Sequence, residues 1–244
     1  MKIVTFFSAK GGTGKTTFNM LLASFLRYKL GKRVLVLDFD GPGFNFFYSR
    51  VRELEVLKEQ GKAADERAFF PIETVRAKEE AALQELCADL LSRENDYDVV
   101  VMDFPGSFTD GDAVGYLSVM SVLDLVVMPV ELDGMIIAAA KTLATIFRED
   151  GQRTLLFFNR VHGREKPELY QALREWFAGK GLQVSENMVK GSVSMRKERD
   201  VNGYLRSTTS FPEKEIREKN PGILELLNEV VDYVGLEKTE STSR

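Results

Sequence analysis

SAKGGTGKTT, at residues 8–17, follows directly on the apolar run IVTFF at residues 3–7. An apolar run, a glycine-rich loop and a helical pattern in succession are typical of a β-strand that leads into a phosphate-binding loop and a helix. The common phosphate loop is written G-x-x-x-x-G-K-[ST]. Gly14, Lys15 and Thr16 match its second half, whereas Ala9 stands where the pattern has its first glycine. The stretch therefore predicts a nucleotide-binding site.

The side chains of this loop have separate predicted roles. Glycines let the main chain approach an anion closely, so that backbone N–H groups and the first helical turn surround the phosphates. Lys15 is expected to reach the β- and γ-phosphates of ATP, and the Thr16 hydroxyl is expected to bind Mg²⁺. A helix is predicted over Thr16–Leu30, with Gly31 as its stop. The predicted nucleotide-binding residues of the loop are Gly11, Gly12, Thr13, Gly14, Lys15, Thr16 and Thr17.

Strands and helices are predicted to alternate along the rest of the chain. Such an order predicts an α/β fold, a mostly parallel twisted sheet with helices on both faces, as in P-loop nucleoside triphosphatases. Ligands of these sheets bind at the carboxyl ends of the strands. Besides the first strand, the pattern predicts strands at Arg33–Asp38, around Phe69–Ile72, and at Tyr97–Asp103, Leu125–Val130 and Thr154–Phe158. Helices are predicted within the charged span Arg50–Asp96 and at Met135–Arg148, Pro167–Lys180 and Pro221–Val234.

Composition limits the class of protein. A chain of 244 residues with 44% hydrophobic content is long enough for a full core, and we expect one domain over residues 1–236 and a flexible polar tail over 237–244. Cys87 is the only cysteine, so neither a disulfide nor a thiolate metal site can form within one chain. Without a signal-peptide pattern or a long apolar segment, a cytoplasmic location is expected. The net charge of −4 restricts any nucleic-acid contact to a local patch.

Three aspartates end predicted strands. Asp103 follows an apolar run and precedes Phe104-Pro105-Gly106, which matches an acid that holds Mg²⁺ directly or through water. Asp38 and Asp40 end the second strand. Since residues two apart on an extended chain point to the same side, both carboxylates could face the metal and a water molecule.

The string KGGTGKTT at residues 10–17 resembles the deviant phosphate loop of the ParA/MinD family of P-loop ATPases. In that family a lysine at the position of Lys10 reaches across an ATP-bound dimer to the partner's nucleotide, so the resemblance implies an ATP-dependent homodimer. It also implies that Asp40 positions or activates the attacking water and that Asp38 supports Mg²⁺. The predicted catalytic residues are Lys10, Lys15 and Asp40, and the predicted Mg²⁺ ligands are Thr16, Asp38 and Asp103.

Other parts of the chain fit the family less closely. The loop after Asp40 departs from the usual partition-ATPase form, because Gly41 and Pro42 replace Pro-Gln and Asn45 comes one position late, which is closer to the MinD spacing. Asn159 and Arg160 resemble the strand end that meets the adenine in the family, where the Asn159 amide could contact the edge of the base.

The partner of such an ATPase is indicated by a local excess of positive charge. Residues 190–219 contain eight Lys or Arg against five Asp or Glu, an excess of three on an acidic protein. In the DNA-partition branch, basic residues of this part of the chain bind non-specific double-stranded DNA, and dimerisation would double the patch. The predicted DNA-binding residues are Arg196, Lys197, Arg199 and Arg206. The resemblance implies slow hydrolysis stimulated by a separate adaptor protein, in the partition of plasmid or mobile-element DNA.

Two alternatives remain open on the sequence. A MinD-like ATPase would act through a membrane or protein partners, but the helical pattern near residues 221–234 carries acidic side chains and predicts a helix packed on the domain, so membrane binding is the weaker expectation. A nucleotide-gated scaffold with little turnover would keep Lys15 and Thr16. An iron–sulfur redox role needs two cysteines in each subunit, and Lys10 counts against a biosynthetic ligase.

Overall fold

Seven parallel strands form one sheet in the computed structural model of the chain, which describes residues 1–8, 10–62, 65–76, 79–106, 119–191 and 208–236. The strands are β1 (Lys2–Phe6), β2 (Val34–Asp38), β3 (Ile72–Thr74), β4 (Val99–Asp103), β5 (Leu125–Val130), β6 (Thr154–Val161) and β7 (Gln183–Lys190). Their order across the sheet is β3-β2-β4-β1-β5-β6-β7, and every pairing is parallel. The predicted α/β fold with a parallel sheet is confirmed.

The central strands are apolar because helices cover both faces of the sheet. All residues of β2, β4 and β5 are buried, as their continuous apolar runs predicted. The helices are α1 (Lys15–Ser24), α2 (Asn45–Glu59), α3 (Glu80–Ser92), α4 (Gly134–Glu149), α5 (Pro167–Gly179), α6 (Glu213–Lys219) and α7 (Pro221–Tyr233). One apolar core joins α1, the first turn of α2, α6 and α7 to one face of the sheet, and a second core joins α3, α4 and α5 to the other.

Helix α1 does not continue to Leu30 as one regular α-helix. It ends at Ser24 and passes into a π-helical turn over Phe25–Lys29, in which the Leu30 N–H donates to the Phe25 carbonyl at 3.2 Å. A π turn rotates the side chains that follow it relative to those of the preceding helix. Gly31 then adopts a φ of 65° and ends the segment, as predicted.

The sequence misplaced the bounds of two strands and missed one strand and one helix. Strand β3 starts at Ile72, where the prediction ended, and β6 continues three residues beyond Phe158. Strand β7 was not predicted, because it lies at the edge of the sheet and its sequence QVSENMVK is mostly polar. The helix α6 was also missed, since seven largely charged residues give only a short pattern.

The last helix packs on the domain, as its sequence predicted. Its apolar side is buried against β7 and α6, in the core that also contains α1, and the buried residues include Ile223, Leu226, Leu227, Val230 and Val231. Within the ranges that the structure describes, no helix is long and apolar enough to cross a membrane. The predicted polar tail, residues 237–244, lies outside the described residues.

Candidate nucleotide site

The phosphate loop joins the carboxyl end of β1 to the first turn of α1. Gly12 and Gly14 have φ values of 82° and 94°, a backbone conformation that residues with side chains rarely adopt. Gly14 directly precedes α1. The loop therefore presents backbone N–H groups at a helix N-terminus, an arrangement that attracts phosphate. Thr16 and Thr17 lie in the first turn of that helix.

Lys15 is held inside the loop. Its side chain is buried, with 5% of the residue exposed, and its ammonium donates to the Lys10 carbonyl at 3.2 Å. Burial lowers the pKa of Lys15, and the charges of Asp103 and Asp40 partly offset that effect. A buried ammonium inside the phosphate loop is placed to neutralise a bound polyphosphate.

Lys10 points away from this buried centre. Its ammonium lies 3.4 Å from the sulfur of Met135, the second residue of α4. A thioether is a weak acceptor, and Met135 is 68% exposed, so the contact leaves the ammonium at the surface. The two lysines of the loop thus have different surroundings, one buried and one facing outward.

The carboxyl ends of β2 and β4 bring Asp38 and Asp103 together. The two residues are paired in register, and both are fully buried. Asn19 of α1 donates to Asp103 Oδ1 at 2.7 Å, while Asp103 Oδ2 accepts no hydrogen bond from the described residues. The pKa of Asp103 is raised to about 7, mainly by burial and also by the charges of Asp38 and Asp40, while hydrogen bonds from Asn19 and Thr16 oppose the rise.

This acidic centre fits a magnesium ion whose remaining ligands would come from a nucleotide and from water. Within the described part of the chain, Asp103 Oδ2 is a buried polar atom without a partner, and such an atom is costly unless a ligand satisfies it. Among the described residues, no group of three or more His, Cys, Asp or Glu side chains could hold a metal ion. Mg²⁺ commonly takes one or two carboxylates together with phosphate oxygens and water, which is what Asp103 and Thr16 can offer beside the loop.

Asp38 has its carboxylate occupied by the main chain. Its Oδ1 accepts from the Asp40 N–H at 3.1 Å, and its Oδ2 accepts from the Phe47 N–H at 3.0 Å. Burial raises the pKa of Asp38, although both hydrogen bonds oppose the rise. Because Phe47 lies in the first turn of α2, Asp38 fixes the start of that helix; its support of Mg²⁺ stays a prediction.

Asp40 is the half-buried acid of the group. Its Oδ2 accepts from the Asn45 side-chain amide at 2.7 Å, which orients the carboxylate from the first residue of α2. The altered loop has a steric reason, because a Cβ on Gly41 would lie 2.8 Å from Cζ of the Phe44 ring. The position one after Asp40 therefore needs glycine as long as Phe44 covers it.

Asn159 and Arg160 brace the phosphate loop. The Asn159 side-chain amide donates to the Thr13 carbonyl at 2.8 Å, and the Arg160 guanidinium donates to the Gly12 carbonyl. Arg160 also forms an ion pair with Glu131, at 3.1 Å. The donor group of Asn159 is thus engaged by the loop, and its contact with an adenine edge stays a prediction.

Three residues of the site were missed from the sequence. Asn19 accepts from the Phe6 N–H at 2.8 Å and links β1 to Asp103, Glu131 positions Arg160, and Met135 contacts Lys10. Asn19 had one indication, a polar residue among the buried apolar residues of α1. The predicted DNA-binding residues Arg196, Lys197, Arg199 and Arg206 lie outside the described residues.

Gly106, three residues after Asp103, touches the phosphate loop. A Cβ at this position would lie 3.1 Å from Gly11 Cα and 3.5 Å from Lys15 Nζ. We expect Gly106→Ala to weaken ATP binding about tenfold, because the loop must move by a few tenths of an ångström to admit a methyl group. Gly179→Ala, where a Cβ meets nothing within 4 Å, is the control. Titration with a fluorescent ATP analogue checks this, and equal affinity of the two variants would contradict the close contact.

Comparisons with known proteins agree with this geometry. A family model described as an AAA domain matches residues 1–59, which contain the phosphate loop, Asp38 and Asp40. No curated protein matches the chain in sequence. The fold resembles the MinD cell division protein of Aquifex aeolicus, with a TM-score of 0.65 and 16% identity over 95% of this chain and 97% of that one.

Two other solved structures are similar over nearly their whole length. The ParA protein of pNOB8, bound to nonspecific DNA, gives a TM-score of 0.61 and 19% identity, over 96% of this chain and 98% of that one. Cobyrinic acid a,c-diamide synthase of Mycobacterium smegmatis, with bound ADP and magnesium, gives 0.59 and 16%, over 100% and 99%. The predicted ParA/MinD resemblance is therefore confirmed: the chain has the P-loop ATPase fold that the MinD and ParA proteins share.

Proposed function

We propose that this protein is a Mg²⁺- and ATP-dependent hydrolase that dimerises on ATP and acts as a nucleotide switch in the positioning of DNA. One observation carries the proposal: a buried Lys15 and an outward-facing Lys10 share one phosphate loop beside Asp103, whose Oδ2 has no hydrogen-bond partner among the described residues. A loop that only binds a nucleotide needs Lys15 but not Lys10. An ammonium that faces outward from the same loop suits contact with a second subunit's nucleotide.

The residues divide the work of ATP hydrolysis. Lys15 and the loop N–H groups would hold the phosphates and neutralise their charge. Thr16 and Asp103 would hold Mg²⁺, which would supply positive charge to stabilise the transferred phosphoryl group. Asp40, oriented by Asn45, positions the attacking water. Asp38 holds the loop that contains Asp40 in place beside the metal ligands, through its two hydrogen bonds from backbone N–H groups.

Non-specific double-stranded DNA is the proposed partner of the ATP-bound dimer. The support is the excess of positive charge within residues 190–219 of an acidic chain, since each phosphate contact adds to affinity through the release of counterions. A dimer that presents two such segments would bind DNA much more tightly than a monomer. A separate adaptor protein would stimulate hydrolysis and so release the DNA.

The proposed partner is tested with Asp40→Ala, which we expect to bind ATP without hydrolysing it. The variant should bind arbitrary-sequence duplex DNA with Mg²⁺-ATP and not with ADP, and raising salt to about 150 mM should weaken the binding steeply. Fluorescence anisotropy of labelled duplex DNA measures the affinity, and light scattering measures the dimer. Asp40→Ala combined with Lys10→Ala is the matched control, because it should bind ATP but form neither the dimer nor the DNA complex.

Each outcome points to a different class of protein. An ATP-dependent dimer that ignores DNA would contradict the DNA role and favour a MinD-like protein that acts on membranes or protein partners. No dimer in either nucleotide state would favour a monomeric scaffold. A fully active Lys10→Ala protein, with dimer formation unchanged, would overturn the proposed role of Lys10 and with it the nucleotide switch.

A further inference from the structure

Two helices that begin at the nucleotide site both contact Thr208. The π turn after α1 carries Tyr28, whose hydroxyl donates to the Thr208 carbonyl at 2.7 Å. Helix α2 carries Arg50, whose Nη2 donates to the same carbonyl at 2.6 Å and whose Nε donates to the Thr208 hydroxyl at 2.8 Å. One peptide group therefore accepts hydrogen bonds from both helices.

Glu53 of α2 binds the hydrogen-bond donors of the same segment. Its carboxylate accepts from the Thr208 N–H at 2.9 Å and 3.0 Å, and from the N–H and the hydroxyl of Thr209 at 3.1 Å and 2.8 Å. Thr208 is fully buried. We call Tyr28, Arg50 and Glu53 the Thr208 clamp. Hydrogen bonds to charged groups are the stronger kind, so the clamp fixes the main chain firmly at this point.

Arg50 is itself held in one orientation. Its Nη1 donates to the Phe70 carbonyl at 3.2 Å, and its guanidinium lies over the rings of Phe69 and Phe70, at 4.9 Å and 4.7 Å from the two centroids. A planar guanidinium can stack and donate in several directions at once, which a lysine ammonium cannot do. Lysine at this position would keep the charge and lose the geometry.

The other ends of the two helices lie at the candidate nucleotide site. Helix α1 starts at Lys15, inside the phosphate loop, and α2 starts at Asn45, whose amide binds Asp40, while Asp38 binds the Phe47 N–H. From Asn45 to Glu53 a helix rises only about 12 Å. Since a helix moves as a rigid element, a shift of the Asp40 loop would be carried to Glu53 and from there to Thr208.

We propose that the Thr208 clamp positions the chain at Thr208–Thr209 according to the nucleotide bound at the phosphate loop, so that Tyr28, Arg50 and Glu53 are the positioning residues that couple the two places. The DNA consequence rests on the proposed function, because the four basic residues predicted to bind DNA precede Thr208 in sequence. The coupling itself does not require DNA, since Thr208 and all three clamp residues belong to the described structure.

The test measures hydrogen exchange of the Thr208 and Thr209 amides with Mg²⁺-AMPPNP and with Mg²⁺-ADP, by mass spectrometry of peptides that begin at least two residues before Thr208 and extend through residue 211. We expect exchange at least about tenfold slower with AMPPNP, the effect of strengthening one hydrogen bond to a charged group. Arg50→Lys and Tyr28→Phe should each reduce this difference to less than about twofold. Arg52→Lys and Tyr48→Phe are matched controls on exposed residues of α2, and they should behave as the unmodified protein does.

The outcomes separate the coupling from the DNA role. Equal exchange with both nucleotides in the unmodified protein overturns the clamp proposal, as does an unchanged difference in folded Arg50→Lys and Tyr28→Phe proteins that bind AMPPNP normally. A nucleotide-dependent difference that both variants lose supports the clamp, even if no DNA is bound. If DNA is bound, the same two variants should lose most of the preference for DNA in the ATP state while their ATP-dependent dimer persists.

Discussion

Lys15→Ala is expected to abolish nucleotide binding, with a loss of at least about 100-fold in ATP affinity, because two or more charge-assisted hydrogen bonds to phosphate disappear together. The loss should exceed that of any other single change in the loop. Lys15 is the buried cation of the site, and without it the carboxylates of Asp103 and Asp40 would face the phosphates with less opposing charge. Isothermal titration with Mg²⁺-ATP measures the effect.

The control for this prediction lies five residues away in the same loop. Lys10→Ala removes the same charge from a partly exposed position, where the ammonium contacts the thioether of Met135. We expect it to keep ATP affinity within about threefold of the unmodified protein, as for an exposed charge. A Lys15→Ala protein that is folded by circular dichroism and binds ATP normally would refute the assignment of the phosphate site.

Asp103→Asn is expected to change activity and stability in opposite directions. Replacing the carboxylate by an amide removes the charge that holds Mg²⁺, so Mg²⁺-dependent hydrolysis should fall by at least about 100-fold. In the metal-free protein the same change removes a buried charge whose Oδ2 has no hydrogen-bond partner among the residues that the structure describes, while the new amide oxygen can still accept from Asn19. The free energy of unfolding at about pH 8 should therefore rise, by about 1–3 kcal/mol.

The sign of the pH dependence follows from the Asp103 pKa. Burial raises that pKa to about 7 in the metal-free fold, against about 4 in an unfolded chain. Between these values the folded state holds a proton that the unfolded state has released, so this residue's contribution to stability falls as pH rises from about 4 to about 7. Urea unfolding at several pH values without Mg²⁺ measures it. Identical pH profiles for Asp103→Asn and the unmodified protein would contradict the raised pKa.

The central strands of the fold could be predicted because their burial is uniform. Strands β2, β4 and β5 are covered on both faces, so every residue is apolar or ends the strand, and a continuous apolar run needs no partner to be recognised. Strand β7 lies at the edge, with only Ser185 and Val189 fully buried, and its pattern gives no such run. The sequence therefore predicts the middle of the sheet better than its edge.

The candidate site divides in the same way. Lys15, Thr16 and Asp103 are near strand ends, and the local pattern of strand, loop and helix is enough to place them together. Asn19 and Glu131 take part through contacts 84 and 29 residues away along the chain, with Asp103 and Arg160. No short pattern encodes such separations, because they depend on which strands become neighbours.

The amino-acid sequence by itself determined the phosphate loop, the parallel sheet and the acids at the carboxyl ends of its strands. Each of these can be read from short local patterns and from their order along the chain. The tertiary structure alone decided that Lys15 is buried while Lys10 faces outward, and that Asp38 is occupied by backbone N–H groups of the Asp40 loop and α2. It also decided that Thr208 meets two helices from the nucleotide site. Burial and hydrogen bonding at these positions arise only when distant segments pack against one another, and a linear pattern does not contain that information.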